Sequence, residues 1–319
     1  MNNWHGKQVF VTGAGGFVGA NLTRSLLSLG CNVSVLVRPT TNLWRLADVA
    51  NQLTFHKGDL LDDDFVRASI VQSCPEILYH VAFPGGHVSE EKKRIDMLST
   101  GVLGTNYLLH AARENGVERF IQIGSSTEYG HRNTAHKESD PIDPISVRGV
   151  SKSVSTLLCR QFAHEFNYPV HILRLYAVYG PWEQPKRLIP RLCRAVLTRE
   201  PISLTPPGIV HDWIYVDDVV EACIKTAESD LPPGEILNIA SGEETTNEEI
   251  FNLVEKVSKR KIALSGEVYA PRKFDTSKWR ANISKAKEML GWQPSTSLQE
   301  GIAASFHFWN KTLRQISGY

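Results

Sequence analysis

Apolar and polar positions in the first half of the chain switch repeatedly between two periods. Short runs dense in aliphatic and β-branched residues predict strands at Gln8–Thr12, Val33–Val37, Leu53–His56, Ile77–Val81, Arg119–Ile123 and Val170–Leu175. Between them, three-and-four spacing predicts helices at Phe17–Leu29, Asp63–Ser73, Asp96–Asn115 and Val147–Phe166. Alternating strand and helix units of this length predict an α/β fold, a doubly wound parallel sheet with helices on both faces. After Tyr176 the pattern loosens. Pro181, Pro185, Pro190, Pro201, Pro206 and Pro207 are expected to cut the chain into shorter elements. Helices return at Leu188–Thr198, Val219–Glu228, Asn247–Ser258, Ser284–Leu290 and Leu298–Trp309. The expected division is a nucleotide-binding domain over 1–176 and a smaller mixed α/β substrate-binding region over 177–319. Part of the latter, about 209–240, is expected to return to the main sheet. The cleft between the two parts is the expected substrate site.

The first strand runs into Thr12-Gly13-Ala14-Gly15-Gly16-Phe17-Val18-Gly19. Gly13 suits a tight turn, Gly16 lets backbone approach a pyrophosphate, and Gly19 lets the helix close on the strand. The N–H groups at the helix start, on Phe17 and Val18, then face the phosphates. With a strand before and an amphipathic helix after, this reads as a dinucleotide site of Rossmann type. The second strand ends Val37-Arg38-Pro39-Thr40 with no acid to take the ribose hydroxyls. Arg38 can pair with a 2′-phosphate, and Arg45 could reinforce it, so NADP(H) is favoured with NAD(H) possible. The alternative is a solvated loop arginine. Asp59 and Leu60, after the third strand, are expected to flank the adenine.

Composition narrows the partners. Across 319 residues the net charge is +1, which carries no signature of nucleic-acid binding. No apolar run is long enough to span a membrane, and the first residues have no apolar signal core. Five scattered cysteines without C-x-x-C spacing suit reduced thiols, so a cytoplasmic location is expected. His164-Glu165 begins a zinc-like pattern, but Tyr168 stands where its second His belongs, and no metal is expected.

Further segments resemble the extended short-chain dehydrogenase/reductase family, in its nucleotide-sugar epimerase, dehydratase and ketoreductase branch. These are His80-Val81-Ala82, Gly101-Val102-Leu103-Gly104-Thr105, Gly124-Ser125-Ser126-Thr127-Glu128-Tyr129-Gly130, Tyr176-Ala177-Val178-Tyr179-Gly180-Pro181, the Asp212–Val219 segment and Leu290-Gly291-Trp292. Gly101 stands where the family usually has Asn. The resemblance implies cofactor contacts at Val81, Ala82, Lys152 and Tyr176, and a catalytic hydroxyl at Ser125 with Ser126 beside it. The branch's dehydratases carry an acidic pair just after the catalytic Thr. Ser126 and Thr127 occupy those places, which disfavours dehydration. The wording of this motif is most similar to 4-keto-6-deoxy-sugar nucleotide reductases, so an NADPH-dependent reductase is expected.

One departure bears on the chemistry. The family's Tyr-x-x-x-Lys appears as Arg148-Gly149-Val150-Ser151-Lys152. Arginine does not exchange protons near neutrality, though it can stabilise a developing alkoxide. Three alternatives stay open. A reductase could relay its proton through Ser125, Tyr129 or water. The chain could bind cofactor and sugar nucleotide without redox chemistry, or it could be an epimerase using bound NAD(P). Tyr269-x-x-x-Lys273 matches by spacing only. The resemblance also implies a nucleotide-diphosphate sugar gripped by Glu128, Arg187, His211, Arg272 and Arg280, with Trp182, Trp213 or Trp279 stacking on it. It implies a homodimer formed by the helices Asp96–Asn115 and Val147–Phe166 as a four-helix interface. Leu103, Tyr107, Leu108, Leu157, Leu158 and Phe162 are the apolar positions for that contact, or for a monomer core.

Overall fold

The computed structural model describes residues 4–84, 91–268, 270 and 276–317. Its strands in chain order are β1 Gln8–Thr12, β2 Asn32–Val37, β3 Leu53–Lys57, β4 Ile77–His80, β5 Arg119–Ser125, β6 Val170–Leu175, β7 Ala177–Tyr179, β8 Ile202–Leu204, β9 Val210–His211, β10 Trp213–Tyr215, β11 Ile236–Ile239, β12 Thr245–Thr246 and β13 Leu264–Val268. The helices are α1 Phe17–Ser28, α2 Asp63–Ser73, α3 Glu91–Ser99, α4 Thr105–Glu114, α5 Val147–Phe166, α6 Leu188–Thr198, α7 Val216–Glu228, α8 Asn247–Ser258, α9 Ser284–Leu290 and α10 Leu298–Ser317. Seven strands form one parallel sheet in the order β11-β6-β5-β4-β1-β2-β3. Chain order reverses between β1 and β4, and a crevice opens at the carboxyl ends of strands at such a switch point.

The inner strands β1, β4 and β6 and their neighbour β2 are largely buried on both faces because both faces are covered. Successive side chains on β1 point opposite ways. Val9 and Val11 join Leu22, Val35, Tyr79 and Val219 under α1 and α7. Phe10 joins Leu36, Leu78, Leu108, Phe120 and Phe162 under α2, α4 and α5. A separate cluster around Tyr179, Trp213 and Tyr215 is closed by α6, α8 and α10. β11 carries the chain back to the edge of the main sheet from beyond residue 177.

Three local readings change. The helix expected over Asp96–Asn115 starts earlier, at Glu91, and is interrupted by one wide π turn at Thr100–Gly104. That turn leaves the Gly101 carbonyl free to accept from the Thr105 and Ser155 hydroxyls. α7 starts at Val216 rather than Val219. Pro190 breaks nothing, since it lies in the first turn of α6 where no intrahelical N–H bond is lost. Of the six apolar positions named for a dimer, Leu108 and Phe162 are buried in the core, whereas Leu103 and Leu157 are 46% and 48% exposed.

Candidate active site

The glycine turn has the geometry a pyrophosphate needs. Gly13 has φ +74°, and a Cβ there would lie 2.5 Å from the Ala82 nitrogen. A Cβ on Gly19 would lie 2.2 Å from the Gly13 oxygen. Gly16 caps α1 with no side-chain hydrogen bond, so bare N–H groups of the first turn, on Phe17 and Val18, face the crevice. These residues fit a bound dinucleotide. Arg38 is exposed at the end of β2, and Asp59 is exposed while Leu60 is buried. Arg45 is a correction. It is buried, donating from Nε to the Trp182 oxygen at 2.7 Å and from Nη1 to the Gly15 oxygen at 3.2 Å. It therefore ties the cofactor turn to the segment after β7 and cannot reach a 2′-phosphate.

Behind the turn runs a buried hydrogen-bond chain. The Ala82 N–H donates to Thr12 Oγ1 at 3.3 Å, and Thr12 Oγ1 lies 2.7 Å from His80 Nδ1. His80 Nε2 lies 3.2 Å from Thr105 Oγ1, which donates to the Gly101 oxygen at 2.7 Å. Since Thr105 spends its proton on Gly101, it accepts from Nε2–H, and Nδ1 accepts from Thr12. Burial, helped by the Lys152 charge, pushes the His80 pKa down to about 3, so the ring stays neutral in this chain. His80 thus fixes the backbone of Val81 and Ala82 against the glycine turn.

At the carboxyl end of β5, Ser125 caps the tight turn Ser126–Glu128. Ser125 Oγ lies 2.8 Å from Thr127 Oγ1, and the Ser125 N–H donates to Glu128 Oε1 at 2.8 Å. Ser126 Oγ accepts from Trp279 Nε1 at 3.1 Å. Two expectations are corrected here. Glu128 is fully buried, and its Oε2 accepts from Arg174 Nε at 2.8 Å and Thr156 Oγ1 at 2.9 Å. It clamps β5 to β6 and α5 and has no face toward a substrate. Tyr129 is likewise buried, with its hydroxyl on Asn238 Oδ1 at 2.7 Å, so it relays no proton to the crevice.

The start of α5 packs on that turn, where a Cβ at Gly149 would lie 2.4 Å from the Thr127 oxygen. This contact sets Arg148 and Lys152, one helical turn apart, along the end of β5. Lys152 is buried and donates to the Ile123 oxygen at 2.5 Å. Its ammonium lies 4.6 Å from the Phe83 ring centre, and the Arg148 guanidinium lies 5.1 Å from the same ring. Burial lowers the Lys152 pKa to about 8, with Arg148 adding to the fall and Glu128 opposing it.

Opposite lie the residues of the second region. Arg187 caps α6 and is half exposed, 3.5 Å from the carboxylate of Glu183. Glu183 is buried, and burial pushes its pKa up to about 8 against the pull of Arg187. Arg280 is exposed. His211 is half-buried, its ring edge-on to Trp213 at 5.3 Å. The neighbouring Asp212 is fully buried and accepts four hydrogen bonds, from the Ser241 N–H and hydroxyl and the Gly242 and Ala281 N–H groups. Trp213 is core. Trp182 is packed between Arg24, Trp44 and Phe308. Trp279 is the tryptophan brought to the catalytic turn, through Ser126. The Tyr176 side chain is another correction: its hydroxyl lies 3.0 Å from His136 Nδ1 in a buried cluster, which leaves only backbone for a cofactor. Arg272 and the Tyr269/Lys273 pair lie outside the described residues. Sequence reasoning missed Phe83, Glu183 and the structural role of His80. The His80-Val81-Ala82 spacing was the one available signal. Among the described residues no group of His, Cys, Asp or Glu could hold a metal ion, and no helix is long and apolar enough to cross a membrane.

The chain is similar to known proteins in sequence and in fold. The model of the NAD dependent epimerase/dehydratase family matches residues 9–240. An uncharacterised UDP-glucose epimerase of Bacillus subtilis is 30% identical over 92% of this chain and 95% of its own. The structure of a Thermotoga maritima UDP-glucose 4-epimerase with UDP-glucose superposes with a TM-score of 0.88 at 27% identity, covering 96% of this chain and 99% of that one. A Bacillus cereus UDP-glucuronic acid 4-epimerase, solved with UDP-glucuronic acid and NAD, superposes with a TM-score of 0.85 at 26% identity, covering 95% and 99%.

Proposed function

Because the chain belongs to the NAD-dependent epimerase/dehydratase family, we propose that it is a nucleotide-sugar epimerase working with a bound NAD(P). Relatives matched over the whole chain favour this over the reductase that the motif wording suggests. The observation that carries it is the site's acid–base inventory. The one carboxylate of the catalytic turn, Glu128, is sealed against Arg174, so elimination of water has no acid there. A nicotinamide cofactor in the crevice would take up a hydride and return it. The chain's own residues do the rest. First-turn N–H groups of α1 hold the pyrophosphate, and Lys152 holds the ribose. Ser125 Oγ, sharing a hydrogen bond with Thr127, relays the proton of the sugar oxygen to solvent water and back, since neither hydroxyl can keep it. Arg187 and Arg280 grip the substrate diphosphate. Incubation with UDP-glucose, UDP-galactose or UDP-glucuronic acid should give the 4-epimer with no net absorbance change at 340 nm. Consumption of NADPH with a 4-keto-sugar nucleotide would instead restore the reductase.

Two finer expectations are testable beside it. Arg38, exposed and without a side-chain partner among the described residues, supports tighter binding of NADP(H) than NAD(H). Arg38→Ala should weaken NADP(H) by about tenfold or more and leave NAD(H) unchanged, since a charge-assisted contact is worth about 1.5–3 kcal/mol. Equal affinities in the unmodified protein would remove the idea. The exposed Ile95, Leu98, Leu103, Val150 and Leu157 support a homodimer through α3, the π turn and α5. Sedimentation should give twice the chain mass, and Leu157→Lys should halve it.

A further inference from the structure

Among the described residues Arg148 is a cation without an anion. Its guanidinium is half-buried, rests 5.1 Å from the Phe83 ring centre, and takes no hydrogen bond or ion pair among the described residues. Three other arginines of the two regions are answered: Arg174 by Glu128, Arg187 by Glu183, Arg45 by two backbone carbonyls. Arg148 instead has cations around it. Lys152 shares the Phe83 ring, and Arg187 is near enough that its charge disfavours the Arg148 cation. A planar guanidinium held this way is a fork for a carboxylate or phosphate that arrives with a ligand.

Position separates the two. Arg148 precedes Gly149, whose Cα packs on the Thr127 carbonyl, so it sits over the turn that carries Ser125. That is the carboxyl end of β5, next to β4 and at the same end of the sheet as the switch-point crevice, where the nucleotide-sugar reading puts the reacting end of the ligand. The exposed arginines suited to a diphosphate, Arg187 and Arg280, belong to the second region. Resting on the nucleotide-sugar reading above, we infer that Arg148 pairs with a carboxylate on the sugar itself. The substrate class is then a nucleotide-linked hexuronic acid, and Arg148 is its specificity-determining residue.

Titration calorimetry on the NAD-loaded protein with UDP-glucuronic acid and UDP-glucose tests this. The two ligands differ by a carboxylate against a hydroxymethyl group on one carbon. Unmodified protein should prefer the acid by at least about tenfold, the scale of one charge-assisted pair. Arg148→Gln should bring that ratio near one while the UDP-glucose affinity stays put. Arg148→Lys, which keeps the charge and loses the fork, should hold an intermediate ratio. Arg187→Gln should weaken both ligands alike. If UDP-glucose binds and no preference exists, the inference fails and the epimerase reading stands. Equal loss of both ligands in Arg148→Gln would also overturn it, since Arg148 would then grip the diphosphate. If neither ligand binds at millimolar concentration, both readings fall. The wild-type ratio decides the matter even if Arg148→Gln does not fold.

Discussion

Arg174→Met should lower the stability of the protein by about 3–5 kcal/mol, the cost of removing one partner of a buried ion pair. Arg174 Nε lies 2.8 Å from Glu128 Oε2, and the two side chains are 3% and 0% exposed. Burial raises the Glu128 pKa, and Arg174 is the main force holding it down. Without the arginine the carboxyl takes up a proton. Its native pKa then stands further above the unfolded value, so the folded protein binds more protons than the unfolded chain. Because Glu128 is raised in the unmodified protein as well, the deficit should be smallest in acid, where both proteins hold the protonated carboxyl, and should grow as pH rises through the range in which only the unmodified protein releases that proton. The double variant Arg174→Met, Glu128→Gln should recover much of the loss, because a buried pair and a well-packed neutral replacement are close in stability. Urea titrations at pH 5 and 8 check both points. A single variant that loses under 1 kcal/mol at pH 8 would mean that Glu128 reaches water, against its complete burial here.

The same pair marks how far the sequence could be read. Glycine spacing encodes backbone geometry directly, so Gly13, Gly16 and Gly19 announced their turn without any tertiary information. Strands buried on both faces are apolar throughout, which made β1, β2 and β4 legible. Arg148 and Lys152, four apart on a helix, had to share a face. Glu128 was different. Its motif placed it beside the catalytic serine, and only the fold brings Arg174, 46 positions later, against it. Arg45 was misread for the same reason: Gly15 and Trp182, its partners, converge only in three dimensions. The π turn at Thr100–Gly104 also depends on a distant element. At Gly101 a Cβ would lie 2.0 Å from Ser151 Oγ on α5, so the small residue belongs to a packing contact that periodicity cannot reveal.

Lys152→Met should separate stability from activity. In the unfolded chain this lysine titrates near 10.5, and in the fold burial brings it to about 8. Between those values the unfolded chain holds a proton that the native protein has released, so stability rises with pH from 8 to 10.5. Below pH 8 the full cost of burying the ammonium stands, offset in part by its bond to the Ile123 oxygen and its place near the Phe83 ring. Methionine removes that cost, so at pH 7 the variant should be more stable by about 1–3 kcal/mol. The advantage should vanish by pH 10.5. Function should move the other way. On the proposed function, losing the cation assigned to the cofactor ribose should weaken cofactor binding about tenfold and lower kcat by about 10²–10³-fold, the usual cost of one charge-stabilising donor. Denaturant titrations at pH 7 and 10, with fluorescence titration of NADH, measure the two effects independently. A variant no more stable at pH 7 than at pH 10, relative to the unmodified protein, would place a compensating anion beside Lys152. A variant with normal cofactor affinity would move the ribose contact elsewhere and leave Lys152 as a support for the end of β5.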